Sequence, residues 1–258
     1  MKHEQLLEGL KALHLHQMAR DYVEISKLSE KDKKTYEQYL AKLVEIELSD
    51  KRRLKTERLL KQAKAPLVKS LDSYNFDLRT GITAQQFNRL MTGEFVKQAG
   101  NVVLFGSFGM GKTHLAIALT RGLCELGFKC YFSSVHELIN QLVAAKRELT
   151  LTSLSKRLDK FDLIVCDELG YVAHERDGAD LFFQLIAQRS ERKSMMITTN
   201  LTFSEWEQVF LDPRTTAAAV DRIIPNCETF NIGGDESYRA YLAKKKMKSK
   251  NDLTSASK

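Results

Sequence analysis

Lys112 and Thr113 close the run Gly106-Ser107-Phe108-Gly109-Met110-Gly111-Lys112-Thr113, and some 55 positions beyond the lysine an apolar stretch ends in Asp167-Glu168. The first run matches G-x-x-x-x-G-K-[ST], the phosphate-binding loop. Each residue type has a task there. Glycines let backbone N–H groups turn inward around an anion, the next helix presents its positive end, and the lysine reaches the outer phosphates. The Thr113 hydroxyl is suited to Mg²⁺, and Asp167 supplies the second oxygen for the metal's water shell. Glu168 is then placed to take a proton from an attacking water. A lysine and threonine in a phosphate loop with a downstream Asp-Glu pair imply ATP, Mg²⁺ and hydrolysis rather than binding alone. A small-molecule kinase is disfavoured, because the acidic pair points to water as the acceptor.

These groups need strands that end beside them. Strand-like runs are "NVVLF" (101–105), "KCYFSS" (129–134), "DLIVCD" (162–167), "SMMITT" (194–199) and the weaker "ETFNI" (228–232). Helical patterns lie between them near 113–126, 135–147, 177–189 and 214–222. Strands that are apolar along their whole length, alternating with helices, predict a parallel sheet covered on both faces, a three-layer α/β core. Asn200 ends the run "ITTN" and reads either as ordinary loop chemistry or as a side chain reaching between the terminal phosphate and water. Thr83, with Gln86 three residues on, predicts a capped helix start.

The first 75 residues are rich in Leu, Lys, Glu and Gln, with Gly9 and Pro66 as the only breakers, and predict a small helical domain. A linker runs from there to about residue 97, the core spans 98–243, and 244–258 reads as a basic tail without fixed structure. No run reaches the roughly 18 apolar residues of a membrane helix, and a cytoplasmic protein is expected. Cys124, Cys130, Cys166 and Cys227 lack metal or redox spacing and read as reduced thiols. The net charge of +7 is unevenly spread. Lys51, Arg52, Arg53, Lys55, Arg58, Lys61, Lys64 and Lys69 face one acid, Glu57, between them. That stretch is either a solvated helix face or a contact for the phosphates of nucleic acid.

Together "GSFGMGKTHLA", "LIVCDELG", "ITTN", "AVDRI" and "ESYRAYLAKK" resemble the IstB-like ATP-binding proteins of insertion sequences, a family similar to DnaC and DnaA within the AAA+ ATPases. "LKALHLHQMARDY" and "LLKQAKAPLVKSLDSYNFDL" resemble that family's start and its linker, so the likeness covers nearly the whole chain. It implies a nucleotide-contacting set running from Gly106 through His114, joined by Asp167 and Arg239. It also implies that Asn200 is a sensor of the terminal phosphate and that Arg222 enters the site of a neighbouring subunit. From the residues alone, Arg222 reads equally as an ion pair with Asp221 or Glu228, and Arg239 as a tail cation. The resemblance further implies an ATP-dependent oligomer on double-stranded DNA that serves a cognate transposase in target selection. Lys51, Arg52, Arg53, Lys55, Arg58, Lys61 and Lys64 are the expected DNA contacts. A replicative helicase loader, or an adaptor that binds nucleotide with negligible turnover, stays open as an alternative.

Overall fold

Alternate residues of the apolar strands point to opposite faces of one sheet, and each face is covered. The computed structural model describes residues 3–66, 74, 76, 81–171 and 175–234; Arg239, the tail from 244 and much of the linker lie outside them. Five parallel strands, β1 (Asn101–Phe105), β2 (Cys130–Ser134), β3 (Leu163–Leu169), β4 (Ser194–Thr199) and β5 (Cys227–Asn231), lie in the order β2-β3-β4-β1-β5. Val102, Leu104, Phe132, Val165 and Met196 face one core; Val103, Tyr131, Ile164, Met195 and Ile197 face the other. This is the three-layer core that the sequence predicts.

The first face is covered by α6 (Lys112–Glu125), whose residues from His114 to Thr120 are all buried, by α4 (Ala84–Met91) through Phe87 and Leu90, and by the short α5 (Glu94–Lys97) through Phe95 and Val96. The predicted start of α4 forms as a capping box: the Thr83 hydroxyl accepts from Gln86 N–H at 3.1 Å and Gln86 Oε1 accepts from Thr83 N–H at 2.9 Å. The second face is covered by α7 (Val135–Arg147), α8 (Leu151–Leu158), α9 (Arg176–Arg189), the short α10 (Glu207–Phe210) and α11 (Pro213–Ile223). Helix α8 was not expected. Strand β3 runs past the predicted end at Asp167 to Leu169, with a register shift against β4 between Cys166 and Leu169.

At the amino end of β3 and β4, Arg189 is fully buried. Its guanidinium donates to the carbonyls of Leu158, Phe161, Asp162 and Ser194 at 2.9–3.3 Å. Burial lowers its pKa to about 10. One charged fork thereby ties the end of α8 to the starts of the two strands, on carbonyls of which Leu158 and Asp162 also accept a backbone N–H.

Contacts divide the chain into two units, Met1–Arg58 and Leu59–Lys258. The smaller contains α1 (His3–Ala12), α2 (His16–Lys31) and most of α3 (Tyr36–Ala63), around a core of Met18, Tyr22, Ile25 and Leu43. Leu15, at the N-cap position before α2, offers no side-chain cap. The carboxylate of Glu47, itself 3% exposed, takes that place by accepting from the N–H groups of Gln17 at 2.8 Å and Met18 at 2.9 Å. A negative group at a helix N-terminus also meets the favourable end of its dipole.

Candidate functional site

Strand β1 is flanked by β4 and β5, while the chain leaving it crosses to the far edge at β2. In open parallel sheets, the crevice for ligands opens beyond the carboxyl ends of the strands at such a reversal. The loop 106–111 leaves β1 at that point and passes directly into α6. Gly106, Gly109 and Gly111 have φ of +138°, +77° and +98°, conformations that side chains avoid. At Gly106 the reason is also steric, since a Cβ there would lie 2.2 Å from the carbonyl oxygen of Ile232.

Lys112 is half-buried and its ammonium folds back over the loop, donating to the carbonyls of Gly106 at 2.7 Å and Ser107 at 2.9 Å. Burial depresses its pKa below the ordinary lysine value, and the charges of Asp167 and Glu168 act in the opposite sense. Thr113 donates its hydroxyl to Asp167 Oδ1 at 3.0 Å, and Asp167 is buried at the end of β3. Glu168, the next residue, is exposed.

The register shift separates the fates of these two carboxylates. Glu168 has φ +62°, a left-handed conformation that costs a non-glycine residue about 1–2 kcal/mol. Its N–H donates to Thr198 Oγ1 at 2.9 Å, and the Thr198 hydroxyl donates onward to Asp167 Oδ1 at 2.5 Å. The bulge thus turns one carboxylate inward, under hydroxyl donors, and the next outward toward solvent. Thr198 had no place among the sequence-based candidates. Beside it, Thr199 donates to the carbonyl of Leu169 at 2.9 Å, and Asn200 follows half-buried at the end of β4.

Phe108 is exposed and meets Tyr171 edge-on at 6.2 Å. Ser107 is exposed, and Met110 is half-buried. His114 is buried, with its ring edge-on to Tyr74 at 5.4 Å. Arg222, on α11, donates to the carbonyl of Ala218 at 2.8 Å and lies over the ring of Phe183 at 5.1 Å. Neither acid proposed for it is its partner, and Glu228 pairs with Arg89 instead. The seven cations from Lys51 to Lys64 are all exposed. Two carry acidic partners on their own helix: Lys51 meets Glu47 at 3.5 Å, and Arg53 is held by Asp50 at 2.7 Å and Glu57 at 2.6 Å. Cys166 and Cys227 are pushed up to about 12 by burial, which removes them from thiolate chemistry. Among the described residues, no helix is long and apolar enough to cross a membrane.

The donor set suits a magnesium-bound triphosphate. A glycine-rich turn before a helix suits backbone N–H groups to an anion, Lys112 supplies the cation, and a hydroxyl with one carboxylate matches the few protein ligands Mg²⁺ takes among its waters. The model of the family described as IstB-like ATP binding protein matches residues 8–249. A relative from Pseudomonas aeruginosa, named as an ATP-binding protein of insertion sequence IS21, is 34% identical over 92% of this chain and 88% of its own. Another, from Sinorhizobium fredii and named as an insertion sequence ATP-binding protein, is 39% identical over 78% of this chain and 67% of its own. The crystal structure of the DnaC helicase loader shares the fold with a TM-score of 0.52 at 24% identity, over 66% of this chain and all of that one. DnaA from Aquifex aeolicus with AMPPCP does so with a TM-score of 0.53 at 17% identity, over 72% and 56%. With that match running over nearly the full length, the chain belongs to the IstB-like ATP binding protein family.

Proposed function

We propose that this chain is an Mg²⁺-dependent ATPase that assembles on double-stranded DNA in its ATP form and assists a cognate transposase in choosing its target, with hydrolysis resetting the complex. The observation that carries the reading is the convergence of Lys112, Thr113, Asp167 and Glu168 at the carboxyl edge of one sheet.

In this reading, the amides of residues 106–111 and the start of α6 hold the phosphates, and the Lys112 ammonium exchanges its carbonyl partners for phosphate oxygens. Thr113 and Asp167 hold magnesium, which when bound neutralises charge that develops on the phosphates. Glu168 faces outward and accepts a proton from the attacking water, whose oxygen bonds to the terminal phosphorus as ADP departs. Asn200 fixes that water and the terminal phosphate. Arg222 is supplied to the next subunit, which ties turnover to assembly, since an arginine given in trans is worth about 10³–10⁵ in rate.

DNA is gripped through its phosphates by exposed cations of α3, so binding carries little sequence preference and falls steeply with salt. The transposase as client rests on the family and on the relatives named for insertion sequences. Sedimentation with and without ATP and duplex DNA, at two salt concentrations, tests the whole. Large assemblies are expected only with ATP and DNA together, and they should shrink at the higher salt. Assemblies equal in its absence, or formed by a Lys112→Ala variant, would refute it.

A further inference from the structure

We propose that Thr198 is a positioning residue for the two carboxylates, holding Asp167 and Glu168 in their opposed orientations; this rests on the hydrolysis reading above. Thr198 is 1% exposed and sits on β4, between β3 and β1. Its hydroxyl has one proton, and the geometry fixes where that proton goes. Glu168 N–H donates to the oxygen at 2.9 Å, so the oxygen's acceptor role there is filled. The hydroxyl proton is directed to Asp167 Oδ1 at 2.5 Å. Asp167 Oδ1 receives Thr113 as well, at 3.0 Å.

The two hydroxyls differ in what else they do. Thr113 opens α6 beside the phosphate loop and is the one suited to a metal, so its bond to Asp167 is the one that nucleotide and metal would change. Thr198 lies in the sheet interior, anchored by strand pairing (Leu104 opposite Thr198), and has no second duty. It therefore keeps the Asp167 carboxylate from turning when Thr113 is engaged elsewhere. Its bond to the Glu168 amide also holds that residue at φ +62° across the register shift, and that backbone is what aims the Glu168 side chain outward. One buried hydroxyl thus sets the orientation of the metal-side carboxylate and of the water-side carboxylate together.

The test compares the wild-type chain with Thr198→Val, which keeps the shape and removes the hydroxyl, and Thr198→Ser, which keeps the hydroxyl. Turnover is measured at saturating Mg²⁺, and the Mg²⁺ concentration for half-maximal binding of a fluorescent ATP analogue is measured separately. Thermal unfolding checks that each variant is folded, with Thr198→Ala standing in if the valine variant is not. The valine variant should lose tenfold or more in kcat with less than a threefold change in KM for ATP, and its Mg²⁺ requirement should rise at least threefold. The serine variant should lie within threefold of wild type on all counts. Wild-type values in the valine variant, equal damage in both variants, or a wild-type affinity indifferent to Mg²⁺ would overturn the role. If the wild-type chain binds nucleotide with Mg²⁺ but never turns it over, the hydrolysis reading fails, and the Mg²⁺ requirement alone decides on Thr198.

Discussion

Thr113 and Asp167 meet at 3.0 Å although 54 positions separate them, because the first turn of α6 and the end of β3 both reach the carboxyl edge of the sheet. In the proposed function, this hydroxyl and carboxylate are the protein half of a magnesium site. Asp167→Asn keeps the shape and removes the charge. Titration of an ATP analogue should show the Mg²⁺-supported part of its affinity reduced about tenfold or more, in keeping with the ~1.5–3 kcal/mol of a charged hydrogen bond. Affinity without Mg²⁺ should change far less.

Lys112 predicts how binding responds to pH. Burial holds its folded-state pKa below 10.5, so the charged form is disfavoured in the free protein, while phosphate favours it. Binding nucleotide therefore takes up a proton wherever Lys112 is neutral beforehand. Affinity should be level near neutrality and decline as pH rises through the Lys112 value, at a midpoint under the free lysine value of about 10.4. Binding measured across that range checks this, and the residual affinity of Lys112→Met should show no such decline.

Glu47 is the cap of a helix that has none of its own. Replacing it with Ala leaves the part-buried amide of Gln17 and the buried amide of Met18 without their acceptor. The expected loss is about 1–3 kcal/mol from the stability of the unit Met1–Arg58, followed by denaturant unfolding. Glu47→Gln retains an acceptor oxygen and should lose less. ATP-analogue affinity should hold in both.

The cations of α3 are not equivalent. Arg53 is already held by Asp50 and Glu57, whereas among the described residues no acid pairs with Arg52, Lys55 or Arg58. Changing those three together to Ala should weaken duplex binding and flatten the slope of log affinity against log salt by about 2–3, near 0.9 per lost phosphate contact. Arg53→Ala should change the slope much less. Fluorescence anisotropy at several salt concentrations separates the two.

What was legible in the chain follows the range of the interactions involved. The strand runs and the Thr83 cap are written in residues a few positions apart; the strands form within two residues of their expected bounds and the cap forms as read. Thr198 was not legible, since its bond to Asp167 depends on a β3–β4 register and a bulge that no local pattern marks. Glu47 was missed likewise, because its partners lie 29 and 30 positions away. For Arg222, adjacency suggested Asp221 or Glu228, yet helix geometry turned it onto Ala218 and Phe183. Helix α8 did carry a helical pattern in Leu151, Leu154 and Leu158, but at 8 residues just after α7 it reads as loop.

Steady-state hydrolysis with Mg²⁺ by the wild-type chain and by Glu168→Gln tests the central claim most directly, when paired with binding of an ATP analogue to both. The wild type should bind and turn over; the variant should bind within threefold as tightly and lose about 10² or more of its turnover, as expected for removal of a general base. Undiminished turnover in the variant, or a wild-type chain that binds no nucleotide, would contradict the account.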